Sequence, residues 1–93
     1  MNVREAAFLS LGKCTPGGKY SNLEVDSAIK KYGFTGSDRA FFTVLVYGTI
    51  EKRITLDYVI SRFSSKPPEK LEPKVLDILR LGAYQILFLD RVP

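Results

Sequence analysis

The sequence predicts a single all-helical domain, and three observations carry that expectation. Apolar residues recur at three- and four-residue spacing through four segments, no stretch shows sustained strand-like alternation, and the Gly and Pro residues fall mostly between the segments. A chain of 93 residues with 45% apolar composition suits one packed core and rules out a second domain.

The first helix is expected from Asn2 to Lys13. Val3, Ala7 and Leu11 make a stripe that Ala6 and Phe8 widen, and Asn2 is placed to cap it. Thr15-Pro16-Gly17-Gly18 stops it, because Pro lacks an amide donor and the Gly pair holds the backbone loosely. Ser21 and Glu24 have the capping-box spacing for a second helix carrying Val25, Ala28, Ile29 and Tyr32, and Gly33 stands where a left-handed C-terminal residue is wanted. Ser37 is the expected cap of a long segment from Arg39 to about Phe63, with Asp38 facing the positive end of the helix dipole. The apolar register shifts between Ile54 and Leu56, so a break is expected there, with Thr55 as a new cap.

Ser64-Ser65-Lys66-Pro67-Pro68 reads as a connector, and Pro73 fits the first turn of the last helix, where its missing amide would have been unpaired anyway. From Lys74 to about Leu89 that helix is apolar over most of its circumference. Val75, Ile78, Gly82, Ile86 and Leu89 make one stripe, Leu76, Leu79, Ala83 and Leu87 an adjacent one, and Asp77, Arg80 and Tyr84 leave only a narrow polar strip. Such a helix is expected at the centre of the bundle. A glycine inside a helix costs about 1 kcal/mol relative to Ala, and close approach of Gly48 and Gly82 would account for both.

The chain has no His and one Cys, so a Cys/His zinc site, an internal disulfide and an imidazole-based dyad are excluded. No carboxylate pair sits in an evident apolar pocket, which leaves acid–base catalysis without candidates. Cys14 lies at the negative end of a helix, where its proton is held, and reads as structural. Neither a signal-like start nor an apolar run of about 18 residues is present. The expectation is a cytoplasmic protein with a reduced thiol and no membrane partner.

Fourteen Lys and Arg against ten Asp and Glu give a net charge of +4, which suits a nucleic-acid partner. Lys19 and Tyr20 stand together at the mouth of a helix N-terminus, a pairing that can take a phosphate and stack a base, although the loop is no phosphate-binding P-loop. With Arg4 and Lys13 they make either a backbone-contacting edge or an ordinary solvated face. Arg80, Tyr84, Phe88 and Arg91 follow one another at three- or four-residue spacing and form a mixed charged and aromatic stripe. That stripe reads as an interaction face, or as a surface that the rest of a longer protein covers.

Three stretches together resemble the NusB-like RNA-binding domain, in the version found at the N-terminus of bacterial small-subunit rRNA cytosine-5 methyltransferases, the RsmB or Sun family. They are Arg4-x-x-Ala7-x-x-x-Leu11 with Tyr20-Ser21-Asn22; Asp38-Arg39-Ala40-Phe41-Phe42 leading to Leu45-Val46-Tyr47-Gly48 and Leu56-Asp57; and Ile78 to Leu87 with Asp90-Arg91-Val92-Pro93. Gln85 after Tyr84 favours the methyltransferase version, since the antitermination factor typically carries an acid there.

The resemblance implies a NusB-like helical bundle, truncated here after its central hydrophobic helix as an incomplete N-terminal fragment of a longer protein. It implies a non-catalytic domain that helps hold small-subunit rRNA for a separate domain using S-adenosylmethionine, and no cofactor of its own. The RNA-facing part carries over to Arg4, Lys13, Lys19 and Tyr20. Arg4 is the only arginine before Lys13, where the antitermination factor has an arginine-rich helix, which implies weak and salt-sensitive binding. The alternatives are a NusB-type antitermination factor, or a module that pairs with another chain or with a second copy through uncovered apolar helix surface.

Overall fold

A computed structural model describes residues 1–14 and 20–89. The all-α expectation holds: the described residues form five α-helices and one short 3-10 helix, with no strand among them. The helices are α1 (Val3–Lys13), α2 (Ser21–Tyr32), α3 (Gly36–Glu51), α4 (Arg53–Phe63) and α5 (Pro73–Phe88), and the 3-10 helix spans Pro68–Lys70. No helix among the described residues is long and apolar enough to cross a membrane.

Local chemistry sets several boundaries as expected. The Asn2 side-chain oxygen accepts the Glu5 amide at 2.8 Å. Gly33 ends α2 in the left-handed region at φ 69°, where a Cβ would be strained. Pro73 opens α5. The Thr15–Gly18 stop lies outside the described residues.

Other boundaries differ. The Ser21–Glu24 capping box does not form: Tyr20 is the N-cap, itself left-handed at φ 67°, and the Glu24 carboxylate accepts the Ser10 hydroxyl of α1 at 2.7 Å. A tertiary partner has taken the local one's place. Thr35 occupies the cap position of α3, so Ser37 lies inside the helix. The long segment breaks at Lys52, whose amide reaches the carbonyls of Gly48 and Ile50, and Thr55 lies in the first turn of α4. Ile54, at which the apolar register shifts in the sequence, is 79% exposed and belongs to no core stripe. The buried residues Phe42, Leu45, Val46, Thr49, Leu56 and Ile60 stay in phase across the break.

The centre of the bundle is α3, not α5. Phe42, Leu45 and Val46 are fully buried, and α1, α2, α4 and α5 all pack against α3. Burial of each such side chain stabilises the fold by about 1.5–3 kcal/mol. Ala6 and Ala7, without exposed surface, let α1 lie close on α3, and Phe34 packs on Phe42 at 5.2 Å between ring centroids to fasten the α2–α3 turn.

Helix α5 is rotated relative to the expectation. Its narrow polar strip faces the bundle, while Val75, Ile78, Leu79 and Ile86 are exposed, Ile86 to 79%. The partners of the polar groups dictate this. Arg80 reaches Asp57 on α4, and Gln85 accepts the Arg4 Nε–H of α1 at 2.7 Å while donating to the Leu81 carbonyl. A polar group buried without a partner costs far more than an exposed aliphatic one.

The expected contact between the two glycines is absent. A Cβ on Gly48 would overlap the ring edge and hydroxyl of Tyr84, so Gly48 makes room for Tyr84. Gly82 has nothing within 4 Å of such a Cβ, and nothing among the described residues explains a glycine there.

Candidate nucleic-acid interface

The residues expected to face RNA do not gather at one place. Arg4 sits in the first turn of α1, with its Nε–H bonded to Gln85 and its guanidinium 5.2 Å from the centre of the Phe41 ring. It ties α1 to α5 and α3. Lys13 is nine residues further along α1, about 13 Å away along the helix axis. Tyr20 is 58% exposed at the entrance to α2, and the Ser10–Glu24 bond places that entrance beside the last turns of α1. Lys13 and Tyr20 therefore share one end of the bundle and Arg4 the other. Lys19 lies outside the described residues.

At the Lys13 end the last turn of α1, the α3–α4 junction, the 3-10 helix and the first turns of α5 enclose a half-open cleft of about 590 Å³. Cys14, Thr49, Arg53, Lys74 and Asp77 are among its walls. A smaller hollow of about 210 Å³ has Lys13, Lys74 and Asp77 on its lining, so Lys13 and Lys74 flank one depression. From the sequence, Lys52-Arg53 and the Lys66, Lys70, Lys74 series, interrupted by Glu69 and Glu72, read as ordinary solubilising charge. Only the antiparallel pairing of α1 with α5, which no local pattern announces, brings residues 13 and 74 together.

Two groups in this cleft are shifted toward their protonated forms. Burial, then the carboxylates of Glu24 and Asp77, push the Cys14 thiol above its ordinary value of 9.0, and its sulfur contacts the Ser10 carbonyl at 3.3 Å. The thiol stays protonated at neutral pH, which agrees with a structural cysteine. Burial raises Asp77 above its ordinary 3.8, against the lowering pull of Arg80 at 3.7 Å. A carboxyl with a raised folded-state pKa binds its proton more tightly in the native state, so stability falls as the pH climbs from the unfolded pKa through the folded one. Asp77→Asn is accordingly expected to raise the urea midpoint at pH 7 and to lose that advantage below the ordinary carboxylate value.

Two members of the stripe expected as an interaction face, Arg80 and Tyr84, turn toward the bundle. Arg80 forms a two-pronged ion pair with Asp57, at 2.7 and 2.8 Å. Tyr84 is buried to 8% exposure against Gly48, with burial and then Glu51 raising its phenol. Phe88 stacks on Tyr84 at 5.6 Å and carries the Lys52 ammonium 5.4 Å from its ring centre, and Arg91 lies outside the described residues. Arg80 and Tyr84 thus belong to a helix–helix seam, while Phe88 stays 39% exposed at its edge.

The sequence matches the NusB family over residues 1–93. The chain belongs to the NusB family. Among curated relatives, it is 39% identical over 99% of its length to the Bacillus subtilis "Probable ribosomal RNA small subunit methyltransferase B", covering 20% of that protein. It is 38% identical over 90% of its length to the Thermus thermophilus ribosomal RNA small subunit methyltransferase B, covering 21% of it. It is also 35% identical over 98% of its length to the Bacillus licheniformis transcription antitermination protein NusB, covering 68% of that protein. No solved structure matches the chain. This NusB chain thus spans about one fifth of the methyltransferase relatives it matches.

Proposed function

We propose that this NusB domain is the non-catalytic RNA-binding part of a small-subunit rRNA cytosine-5 methyltransferase, holding rRNA for a separate domain that uses S-adenosylmethionine. The observation that carries the reading is the basic end of the bundle. Lys74 borders two depressions, one shared with Arg53 and the other with Lys13; none of the three has an ion-pair partner among the described residues, and exposed Tyr20 stands beside the same end of α1. The similarity to two methyltransferases over nearly the whole chain supports the choice of parent. Arg4 serves this function from a distance, by fixing α1 on α5.

Fluorescence anisotropy with a labelled rRNA hairpin tests the proposal. The affinity is expected to fall about tenfold between 50 and 200 mM salt, as two or three phosphate contacts would give. Lys13→Glu is expected to weaken binding and to flatten that dependence. Absence of binding at low salt, or binding indifferent to salt, would defeat the reading.

A second reading, an interaction module, is favoured by the exposed stripe of Val75, Ile78, Leu79 and Ile86. In a parent several times longer than this chain, that stripe is the surface on which further parts of the protein pack. Sedimentation of the isolated chain separates the cases: concentration-dependent association supports pairing through the stripe, and a clean monomer at all concentrations removes the self-dimer.

A further inference from the structure

The cleft at the basic end has the character of a built site. Its lining changes from apolar to cationic. Leu11, Ile50 and Leu76 supply aliphatic surface, and Arg53 and Lys74 supply positive charge. Glu69 is the one lining carboxylate without an ion-pair partner among the described residues, because Asp77 lies beside Arg80. Helix α5 starts on this wall, and Glu72 at its N-cap makes no side-chain cap bond, so the amides of Lys74 and Val75 have no side-chain acceptor among the described residues.

A volume of about 590 Å³ falls within the range of roughly 300–1,000 Å³ usual for pockets that hold small molecules.

We propose that this cleft holds one unstacked nucleotide of a single-stranded RNA segment, its phosphate against Arg53, Lys74 and the first amides of α5, its base over Leu11, Ile50 and Leu76. Single-stranded RNA offers splayed bases together with a charged backbone, which is the pairing of surfaces that the lining presents. The inference rests on the RNA-binding reading above and goes beyond it by naming the subsite.

The test is an amide-resolved NMR titration of the labelled protein with a six-nucleotide single-stranded oligoribocytidylate, alongside inorganic phosphate. The hexanucleotide is expected to shift the amides of Thr49, Ile50 and Lys74 to Leu76. Arg53→Glu with Lys74→Glu is expected to weaken binding at least tenfold, while Arg39→Glu, an exposed cation on the first turn of α3, leaves the affinity within about twofold. Equal affinity in the double variant, or shifts confined to Tyr20 and α2, would overturn the subsite and leave the RNA-binding reading standing. Phosphate alone reproducing every shift would reduce the cleft to an anion site and overturn the nucleotide. A wild-type protein that binds neither this hexanucleotide nor the rRNA hairpin at low salt would remove both.

Discussion

Gly48→Val is expected to destabilise the protein by about 3 kcal/mol, the upper end of what overpacking a core usually costs. In isolation the change favours a helix by a few tenths of a kcal/mol, because valine loses less backbone entropy than glycine. The surroundings reverse that sign. A Cβ at this position would already overlap the hydroxyl and ring edge of Tyr84, and valine adds two methyl groups to it. The ring is buried and stacked on Phe88, so it has little room to swing away. In a domain of this size the loss corresponds to a fall of roughly 12–20 °C in Tm. Combining Gly48→Val with Tyr84→Ala should cost at least about 1 kcal/mol less than the two changes summed, since the second removes the ring that the first strikes. Strict additivity in that cycle would show that close approach is not the reason for the glycine.

Arg80→Ala is expected to cost about 2 kcal/mol in urea denaturation, between the 0–1 of an exposed pair and the 3–5 of a fully buried one. The intermediate figure follows from the geometry. Two nitrogens of Arg80 meet both carboxylate oxygens of Asp57, with the side chains 19% and 28% exposed. Losing the guanidinium strands a half-buried carboxylate between α4 and α5. Removing Asp57 as well, in an Arg80→Ala/Asp57→Ala double variant, should restore part of the loss, since no charge is then left without its counterpart. A single Arg80→Ala variant as stable as the wild type would mean that the pair holds nothing in place.

These two anchors show why the sequence revealed the fold class more readily than the packing. Asn2, Gly33 and Pro73 were legible because capping and proline chemistry are settled within one turn of backbone. Glu24 was misread for the complementary reason: Ser10, from another helix, outcompetes the cap three residues away. Periodicity grouped the residues of α5 into the right stripes, yet with aliphatic side chains on nearly all sides it could not say which stripe goes inward. Gly48 receiving Tyr84 and Asp57 receiving Arg80 decide that, and both are pairings between distant positions. The candidate site divides along the same line. Lys13 and Tyr20 could be read from the segment that carries them, whereas Arg53, Lys74 and Thr49 join them only through the antiparallel lie of α1 and α5.

The inverted seating of α5 has a mechanical corollary. Its inner edge is latched by ionic and aromatic contacts, while Val75, Ile78, Leu79 and Ile86 on its outer edge face solvent. A neighbour could mount on that outer edge, or come off it, without unlatching anything inside. The mounting surface and the basic end of the bundle would then operate independently, so that loading one need not alter the grip of the other.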